Sequence, residues 1–385
     1  MRIADVAEFY AEAGGGVKTY VDAKLQIGAA LGHQVSVIAP GREDRVEERN
    51  GGRVFWVRSP PVPGDPRYGL FVRREGVHRA LDTIEPDVVE GSSPYGGGWF
   101  AASYPAPVRS FIFHQDPVAA LAHPFLDAWI SRPRLDGLAR PLWSYLSRLG
   151  GRFDTTVVAG RWLAARLEAF GLPRVTAVPF GIDPAPFLEA RSDPELRAEW
   201  RARLGLPEGG ALLVAVSRHH PEKRLATVIA AVRSLTDVGL VVFGDGPARK
   251  SVERAVGGCS RIHLAGYVRD RPSLARALAS ADGLVHGSAA ETFGLVLSEA
   301  LAAGCPLVAP SEGGAGELVR PEFGETYAAG DAEACADAIR RLLARRGAAK
   351  AGAEAIRTQQ RTLEAHFHDL FAHYAALLAA SRPHC

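Results

Sequence analysis

Short apolar runs alternate with amphipathic stretches along most of the chain. In the first half the apolar runs predict strands at residues 2–9, 34–39, 54–57, 88–90, 108–113, 155–159 and 175–178. Apolar residues at helical spacing between these runs predict helices near residues 17–31, 71–84 and 161–170. Strands that alternate with helices in this way are typical of a doubly wound parallel sheet.

A second series of the same kind begins at Ala211. It predicts strands at residues 212–217, 240–243, 261–264, 283–286 and 306–309, and helices near residues 221–235, 247–256, 272–280 and 292–303. The proline-containing stretch 181–210 between the two series is interpreted as an interdomain connection. The pattern predicts an α/β protein with Rossmann-like domains at residues 1–183 and 184–352. Such sheets bind ligands beyond their strand ends, so we expect a cleft between the domains.

The end of the chain extends beyond the second series. Within residues 353–385, apolar side chains recur at helical spacing, at Leu363, Phe367, Leu370, Phe371, Tyr374 and Leu377. We expect a terminal helix there that packs back on one of the domains.

Length and composition narrow the class of protein. The chain has 385 residues, more than one hydrophobic core usually serves, and its 47% hydrophobic residues exclude global disorder. With 45 basic and 43 acidic residues the formal charge is +2, which gives no reason to expect nucleic acid as a partner. Only five of the basic residues are lysines, so each lysine stands out more than an arginine does.

The cysteines and the start of the chain bear on its compartment. Four cysteines, at Cys259, Cys305, Cys335 and Cys385, lie far apart without nearby histidine pairs. They indicate neither a disulfide framework nor a zinc site. The first residues include acidic side chains where a signal peptide needs apolar ones, and no apolar run reaches the length of a membrane span. We therefore expect a reduced, cytoplasmic protein.

Three glycines, Gly14, Gly15 and Gly16, lie between the first predicted strand and its helix. Free N–H groups and the helix dipole suit an anion there, and the missing side chains allow close approach. The alternative is a tight turn without a ligand. The triplet lacks the GxGxxG pattern of a nicotinamide-binding domain, although Glu43 and Asp44 could mimic the ribose-binding acid of such a domain.

Charged residues follow two predicted strands of the second series. Arg218 and Lys223 come after the first of them and can converge on an anion such as a diphosphate leaving group. Glu291 precedes a later helix and Glu299 lies within it, so the two carboxylates could reach different hydroxyl groups of one ligand. The N–H groups at the start of that helix also suit a phosphate. Solvated surface charges are the alternative for both pairs.

His114 ends the apolar run 108–113 and begins the sequence HQDP. Its position at a strand end suits a hydrogen bond to a substrate, or an acid or base near neutral pH. A structural histidine at a strand end is the alternative.

In combination these residues resemble the retaining glycosyltransferases of family 4, which have the GT-B fold. The resemblance rests on GGGVKTY in the N-terminal loop, His114, VPFGID ending at Asp183, Arg218 with Lys223, GDGP at 244–247, the EX7E motif from Glu291 to Glu299, GGAGE at 313–317, and HFHDLFAHY near the end. It covers nearly the whole chain. It implies two facing Rossmann-like domains with a C-terminal helix that returns to the N-terminal domain.

The resemblance also implies roles for individual residues. Arg218 and Lys223 would hold the diphosphate of a nucleotide-sugar donor, Glu299 would hold its ribose, and Glu291 would contact its sugar. Further donor contacts would come from Gly244, Phe293, Gly294 and Leu295, with Gly15, Gly16 and His114 near the reacting sugar and the acceptor. No protein nucleophile is needed, since the leaving phosphate helps to accept the acceptor's proton.

The implied reaction moves a hexosyl group from a UDP- or GDP-linked sugar to a hydroxyl group of a glycan, glycolipid or small molecule, with retention. The chain contains no DxD motif, so we expect neither a metal nor another cofactor. A non-catalytic sugar-nucleotide-binding protein is the alternative, and an NAD-type oxidoreductase is a weaker one.

The stretch 129–152 mixes five arginines with Trp129, Trp143 and Tyr145. Peripheral contact with an anionic membrane at its inner face is one interpretation of this mixture, and an ordinary pair of solvated helices is the other. The sequence predicts no particular oligomeric state.

Overall fold

The computed structural model of the chain describes residues 1–12, 16–63, 65–127 and 129–381. The chain divides into two compact units. The first unit comprises Met1–His114, Ala139–Pro179 and Leu363–Cys385, and the second comprises Gln115–Leu138 and Phe180–Thr362.

The units differ from the predicted domains in where short stretches belong. Residues 115–138 group with the second unit, because Asp127 in this stretch accepts a hydrogen bond from Arg224 and Arg132 pairs with Glu312. Residues 353–362, expected to belong with the terminal helix, also group with the second unit.

The first unit is built around a large sheet. Its elements are β1 (Arg2–Val6), α1 (Gly16–Ala30), β2 (Gln34–Gly41), β3 (Arg45–Arg49), β4 (Gly52–Arg58), β5 (Pro61–Val62), β6 (Asp65–Gly69), α2 (Arg74–Ile84), β7 (Val88–Gly91), α3 (Gly96–Ala102) and β8 (Val108–Phe113). After α4 (Pro117–Leu121), α5 (His123–Leu126) and α6 (Arg132–Leu138) of the second unit come α7 (Arg140–Gly150), β9 (Thr155–Val158), α8 (Arg161–Ala169) and β10 (Val175–Ala177).

The sheet has the strand order β10-β9-β8-β7-β1-β2-β4-β3. All neighbours are parallel except β3, which pairs antiparallel with β4 at the edge and was not predicted. Its sequence, RVEER, carries charge and little apolar surface, which suits an exposed edge strand. The strands β1, β7 and β9 are almost wholly buried, as is typical of strands covered on both faces, although β1 and β7 carry the acidic residues Asp5 and Glu90.

The predicted terminal helix is present and packs on the first unit. This helix, called α18 (Leu363–Ser381) in chain order, buries Phe367, Leu370, Phe371 and Tyr374 in the same core as α1. The expected return to the N-terminal domain is confirmed.

A buried ion cluster ties α1 to the sheet and to α18. Lys24 donates to Asp5 Oδ2 at 2.6 Å and also to Glu90, and the Tyr374 hydroxyl donates to Glu90 Oε1 at 2.7 Å. Burial opposes the charge on Lys24, but the two carboxylates outweigh it and raise the pKa of this lysine. Removing one partner of such a buried pair typically costs about 3–5 kcal/mol.

The second unit contains the remaining elements. They are α9 (Ala185–Glu189), α10 (Pro194–Arg203), β11 (Ala211–Val216), α11 (Leu225–Arg233), β12 (Val238–Phe243), α12 (Arg249–Val256), β13 (Ile262–Gly266), α13 (Arg271–Ser280), β14 (Gly283–Val285), α14 (Leu295–Ala302), β15 (Leu307–Pro310), α15 (Gly313–Leu318), β16 (Gly324–Tyr327), α16 (Ala332–Ala344) and α17 (Arg346–Ala355). Single turns of 3-10 helix lie at Pro221–Lys223 and Arg357–Gln359.

The second sheet is parallel, with the order β13-β12-β11-β14-β15-β16. Alternate residues of β11 enter two different cores: Leu212 and Val214 pack with α13 and α14, whereas Leu213 packs with α11 and α16. This sheet therefore has helices on both faces, as the alternation of strands and helices predicted.

The interpretation of residues 181–210 as a connection was wrong. Phe187 of α9, Trp200 of α10 and the following Leu204 are buried in one core of the second unit, so the stretch belongs to that unit. No helix in the described part of the chain combines the length and apolar character needed to cross a membrane.

Candidate functional site

The site of the second unit lies where the strand order reverses. The chain runs outward from β11 in one direction through β12 and β13, and from β14 in the other through β15 and β16. Open α/β sheets bind ligands beyond the carboxyl ends of the strands at such a point. Here the loop after β11 carries Arg218 and Lys223, and the loop after β14 carries Glu291.

The two loops are in close contact because of a glycine. A Cβ atom at Gly287 would lie 2.6 Å from the carbonyl oxygen of Lys223, closer than real Cβ contacts. Gly287 thus allows the backbone of the second loop to pass directly against that of the first.

A cavity of about 580 Å³ lies at this point and is lined by residues of the second unit alone. Every donor-binding residue predicted in this unit lines it: Arg218, Lys223, Gly244, Glu291, Phe293, Gly294, Leu295 and Glu299. The structure therefore brings together side chains that are up to 81 positions apart in the sequence, between Arg218 and Glu299.

Two nitrogen atoms lie close to one carboxylate oxygen of Glu291. Lys223 Nζ donates to Glu291 Oε1 at 2.5 Å, and His286 Nε2 lies 3.3 Å from the same oxygen. Burial opposes ionisation of Glu291, but Lys223 and His286 hold its pKa well below the ordinary range. The other oxygen, Oε2, makes no hydrogen bond in the described part of the chain and can accept one from a ligand hydroxyl group.

Lys223 is a charged group at working pH. Burial disfavours its charge, whereas Glu291 and Glu222 favour it more strongly and raise the pKa of the ammonium group. An ammonium group has three donors, so its bond to Glu291 leaves others for an anion in the cavity.

Glu299 has a different electrostatic environment. It is buried in α14, and Arg271 Nη2 donates to its Oε1 at 2.8 Å. Burial raises the pKa of Glu299, and the guanidinium of Arg271 offsets part of that rise. Arg271 was not among the residues predicted from the sequence, because arginines are frequent in this chain and none stands out.

Arg218 differs from Lys223 and Arg271, which also line the cavity and form ion pairs. Its side chain is exposed and makes no ion pair with any residue in the described ranges. It is thus available for an anion without losing a protein partner.

The start of α14 faces the same cavity. Gly294 caps this helix in the left-handed conformation, with φ of 88°, which favours glycine. The first N–H groups of a helix have no partner within it and suit an anion. Phe293 and Leu295, on either side of Gly294, also line the cavity.

Two other glycine motifs hold the loops in place. The amide of Gly314 donates to the Glu291 carbonyl oxygen at 2.6 Å, so the GGAGE segment is hydrogen-bonded to the backbone of the Glu291 loop. Gly244 has φ of 126°, and a Cβ there would lie 1.9 Å from the Ser217 carbonyl oxygen. Both motifs therefore fix backbone that carries cavity residues.

Two of the predicted residues, His114 and Gly16, lie in the first unit. His114 follows β8, and its ring packs edge-on against Tyr20 of α1 with centroids 5.6 Å apart. Burial, with a smaller contribution from Lys24, lowers the pKa of His114 to about 4, so it is neutral near pH 7. Gly16 begins α1, whereas Gly14 and Gly15 lie outside the described residues.

Sequence reasoning missed the residues that hold the predicted ones in place. These are Arg271 and His286 in the second unit, and Asp5, Lys24 and Glu90 in the first. Lys24 had one signal, its rarity as a lysine, but only the fold shows that it is buried between two carboxylates.

No group of histidine, cysteine, aspartate or glutamate suited to a metal ion occurs among the residues that the structure describes. Metal independence stays a prediction. The arrangement in the second unit can bind an anion through Arg218, Lys223 and the start of α14, and hydroxyl groups through the two glutamates.

Two family models match the chain. The model described as Glycosyl transferases group 1 matches residues 197–359, and the model described as Glycosyltransferase Family 4 matches residues 14–186. The first range contains the whole cavity described above except Phe180.

Two mycobacterial mannosyltransferases are similar in sequence to most of this chain. A GDP-mannose-dependent alpha-mannosyltransferase of Mycolicibacterium smegmatis is 31% identical over 327 residues, 83% of this chain and 82% of the relative. A GDP-mannose-dependent alpha-(1-6)-phosphatidylinositol dimannoside mannosyltransferase of Mycobacterium tuberculosis is 29% identical over 355 residues, 90% of this chain and 88% of the relative.

A similar solved structure defines the fold. Sucrose-phosphate synthase from Thermosynechococcus elongatus superposes with a TM-score of 0.76 at 22% identity, covering 98% of this chain and 99% of that one. The chain therefore belongs to glycosyltransferase family 4 of the group 1 glycosyl transferases, and is a hexosyltransferase with the GT-B fold.

Proposed function

We propose that this enzyme transfers a hexosyl group from a nucleoside-diphosphate sugar to an acceptor hydroxyl group, with retention and without a metal. The observation that carries the proposal is one cavity of the second unit, whose lining includes the cations Arg218 and Lys223 and the carboxylates Glu291 and Glu299. The cations match a diphosphate, and the carboxylates match sugar and ribose hydroxyl groups.

The proposed roles follow from the position of each group. Arg218, Lys223 and the N–H groups at the start of α14 oppose the charge that develops on the leaving diphosphate. Glu291 accepts from a hydroxyl group of the donor sugar through its unoccupied oxygen. Glu299 accepts from the ribose, and the guanidinium of Arg271 offsets part of the rise in its pKa that burial causes.

The proposed chemistry needs no protein nucleophile. The acceptor oxygen bonds to the anomeric carbon as the bond from that carbon to the phosphate oxygen breaks. The acceptor's proton passes to the leaving phosphate on the same face, which retains the configuration. His114, neutral near pH 7, is proposed to hydrogen-bond the reacting sugar or the acceptor.

For the donor we propose a GDP- or UDP-linked hexose, with GDP-mannose as the first to test. The names of the two mycobacterial mannosyltransferases support this choice. For the acceptor we propose a glycan, glycolipid or small molecule with a free hydroxyl group, and the name of the Mycobacterium tuberculosis relative supports a glycolipid.

The experiment that tests the proposal is a calorimetric titration of GDP, UDP, ADP and their sugars, followed by a transfer assay on Arg218→Ala and Lys223→Ala. We expect one nucleoside diphosphate to bind. Each substitution should lower the transfer rate by roughly 100-fold or more, because the leaving group loses a charge partner. Release of nucleoside diphosphate distinguishes an enzyme from a protein that only binds nucleotide sugar.

Matched controls come from the same unit. Arg320 and Lys250 are exposed, lie outside the cavity and make no side-chain ion pair with residues in the described ranges. Arg320→Ala and Lys250→Ala should behave like the wild type. The proposal fails if no nucleotide binds to the wild type, or if Arg218→Ala and Lys223→Ala both turn over normally.

Peripheral membrane contact, predicted for residues 129–152, is retained as a proposal for a shorter stretch. Trp143 is buried against Phe170 and Tyr145 bonds to the Pro94 carbonyl oxygen, so these aromatic residues are structural. Trp129 is 81% exposed and Leu138 is 71% exposed, which supports contact through residues 129–138. Co-sedimentation with phosphatidylglycerol vesicles should weaken in Trp129→Ala, and equal binding of both proteins would exclude this contact.

A further inference from the structure

The residue before Lys223 is bonded to a stretch of the chain that is distant in sequence. Glu222 is buried and accepts a hydrogen bond from Gln115 Nε2 at 2.9 Å. Gln115 begins the stretch 115–138, which leads from β8 to α7 and groups with the second unit. Because a buried carboxylate needs such a donor, this contact ties the single 3-10 turn that ends at Lys223 to the stretch.

The residue after Lys223 is bonded to the same stretch. Arg224 has φ of 46° and ψ of 37°, the left-handed conformation that a β-carbon disfavours. Its mostly buried guanidinium donates to Asp127 Oδ2 and lies against the backbone of Gly330, where a Cβ would be 2.7 Å from Nη1. The ion pair with Asp127 offsets the cost of an arginine in this conformation.

Asp127 connects three loops of the second sheet. Its Oδ2 also accepts from Arg132, from Nε at 3.2 Å and from Nη2 at 3.1 Å. Arg132 in turn pairs with Glu312 after β15 and donates to the Ala329 carbonyl oxygen after β16, at 3.2 Å. Since Arg224 follows β11, one carboxylate joins loops at the carboxyl ends of β11, β15 and β16. Burial raises the pKa of Asp127, but the two guanidinium groups outweigh it and lower that pKa.

These bonds fix the backbone that carries the ammonium group of Lys223. The Lys223 amide donates to the His220 carbonyl oxygen at 2.9 Å, and a Cβ at Gly287 would lie 2.6 Å from the Lys223 carbonyl oxygen. The side chain then reaches Glu291 and the cavity. A long, flexible side chain holds its charge at one place only when its backbone is held, because each free torsion spreads the position of Nζ.

We propose that residues 115–138 form a positioning segment for diphosphate binding, which acts through Gln115 and Asp127 on the turn that carries Lys223. The inference rests on the proposed role of Lys223 toward the diphosphate of the donor. None of the described residues of the segment lines the cavity, so Gln115 and Asp127 are positioning residues that need not contact the donor.

Lysine labelling tests the positioning without a ligand. The rate of reductive methylation at each lysine is measured by peptide mass spectrometry on the full chain. The Lys223 side chain is 19% exposed, so its ammonium group is shielded in the wild type. Asp127→Asn and Gln115→Ala should each raise the rate at Lys223 several-fold, because the turn opens more often. The rate at the exposed Lys250 is the internal reference and should not change.

Calorimetry with GDP, or with whichever of UDP and ADP the wild type binds, tests whether the segment acts through Lys223. Asp127→Asn should lower the affinity by about tenfold in the wild-type chain. In a Lys223→Ala background the same substitution should change the affinity by less than about twofold, because no ammonium group is left to position. A general loss of stability would instead lower the affinity equally in both backgrounds.

The matched control is Asp337→Asn, which breaks an exposed ion pair with Arg340 on α16, outside the cavity. It should equal the wild type in both measurements. Unchanged labelling of Lys223 in both Asp127→Asn and Gln115→Ala would overturn the inference, as would an equal loss of affinity with and without Lys223. If the wild type binds none of the three nucleotides, the proposed function fails, and the labelling alone decides whether the segment positions Lys223.

Discussion

The two glutamates of the EX7E motif have opposite electrostatic environments. Lys223 and His286 keep the pKa of Glu291 low in spite of burial, whereas burial raises the pKa of Glu299 and Arg271 only offsets part of that rise. Each carboxylate is thus paired with its own cation, 2.5 Å away at Lys223 and 2.8 Å away at Arg271. Separate partners are consistent with separate roles toward one ligand.

Glu299→Ala and Glu291→Ala should therefore affect different parts of donor binding. We expect Glu299→Ala to weaken binding of free nucleoside diphosphate by about 1.5–3 kcal/mol, the usual contribution of a hydrogen bond to a charged group. Glu291→Ala should leave that binding nearly unchanged and weaken the part that depends on the sugar. Calorimetry with GDP and GDP-mannose measures both, and equal losses for both ligands in both variants would contradict the assignment.

His114 should make stability depend on pH. Its folded-state pKa is lowered from 6.5 to about 4, mainly by burial, so the unfolded chain binds a proton more readily in this interval. The contribution of neutral, buried His114 to the stability of the folded state is fully present above pH 6.5 and is lost as the pH falls toward 4. Melting temperatures from pH 4 to 7 should fall less steeply for His114→Gln than for the wild type. Parallel curves would show that His114 is not buried in its neutral form.

At the scale of the element, glycines decide how closely the loops of the second unit approach one another. Gly287 lets the loop after β14 contact the backbone of Lys223. Gly314 lets α15 pack against the Glu291 loop and donate a hydrogen bond to its backbone. The geometry of the cavity thus depends on backbone packing as much as on the charged side chains that line it.

Gly314→Ala should displace the Glu291 loop. A Cβ there would lie 2.5 Å from the Thr292 carbonyl oxygen and 2.8 Å from the Phe293 amide nitrogen, so the backbone must move. Overpacking of this kind typically costs about 1–3 kcal/mol, and we expect donor affinity to fall by about tenfold. Gly347→Ala in α17 is the control, because no atom lies within 4 Å of its added Cβ. Unchanged donor affinity in Gly314→Ala would show that the loop is not held by this contact.

The sequence predicted the elements with strong periodicity and missed those that depend on tertiary contacts. The predicted strands of the second sheet agree with the observed ones to within a few residues, because apolar runs in a buried parallel sheet leave a clear signal. Strand β16 was not predicted. Strand β3 was missed because its charged sequence shows no buried face, and it forms by pairing with β4. Residues 115–138 were assigned to the wrong domain, since their contacts with Arg224 and Glu312 are distant in sequence.

The candidate site was predictable where a motif has fixed spacing. Arg218, Lys223, Glu291 and Glu299 line one cavity, as the resemblance implied. Their partners, Arg271 and His286, follow from no spacing rule, because each is selected by the position of the carboxylate that it contacts. The buried cluster of Asp5, Lys24 and Glu90 is a similar case, since three separate elements bring it together.

At the scale of the whole molecule, both units follow one plan. Each has a sheet whose strand order reverses near the middle, and the second unit presents its candidate binding residues beyond the strand ends at that reversal. In the second unit these residues are charged and suit a nucleotide sugar.

One assay tests directly whether transfer proceeds with retention and without a metal. GDP-mannose and octyl α-D-mannopyranoside are incubated with the enzyme in excess chelator, and the anomeric coupling of the product is measured by NMR. We predict full activity and an α-linked product, because Arg218, Lys223 and the start of α14 provide the positive partners that a metal would otherwise supply. Activity that returns only when a divalent metal is added, or a β-linked product, would contradict the account.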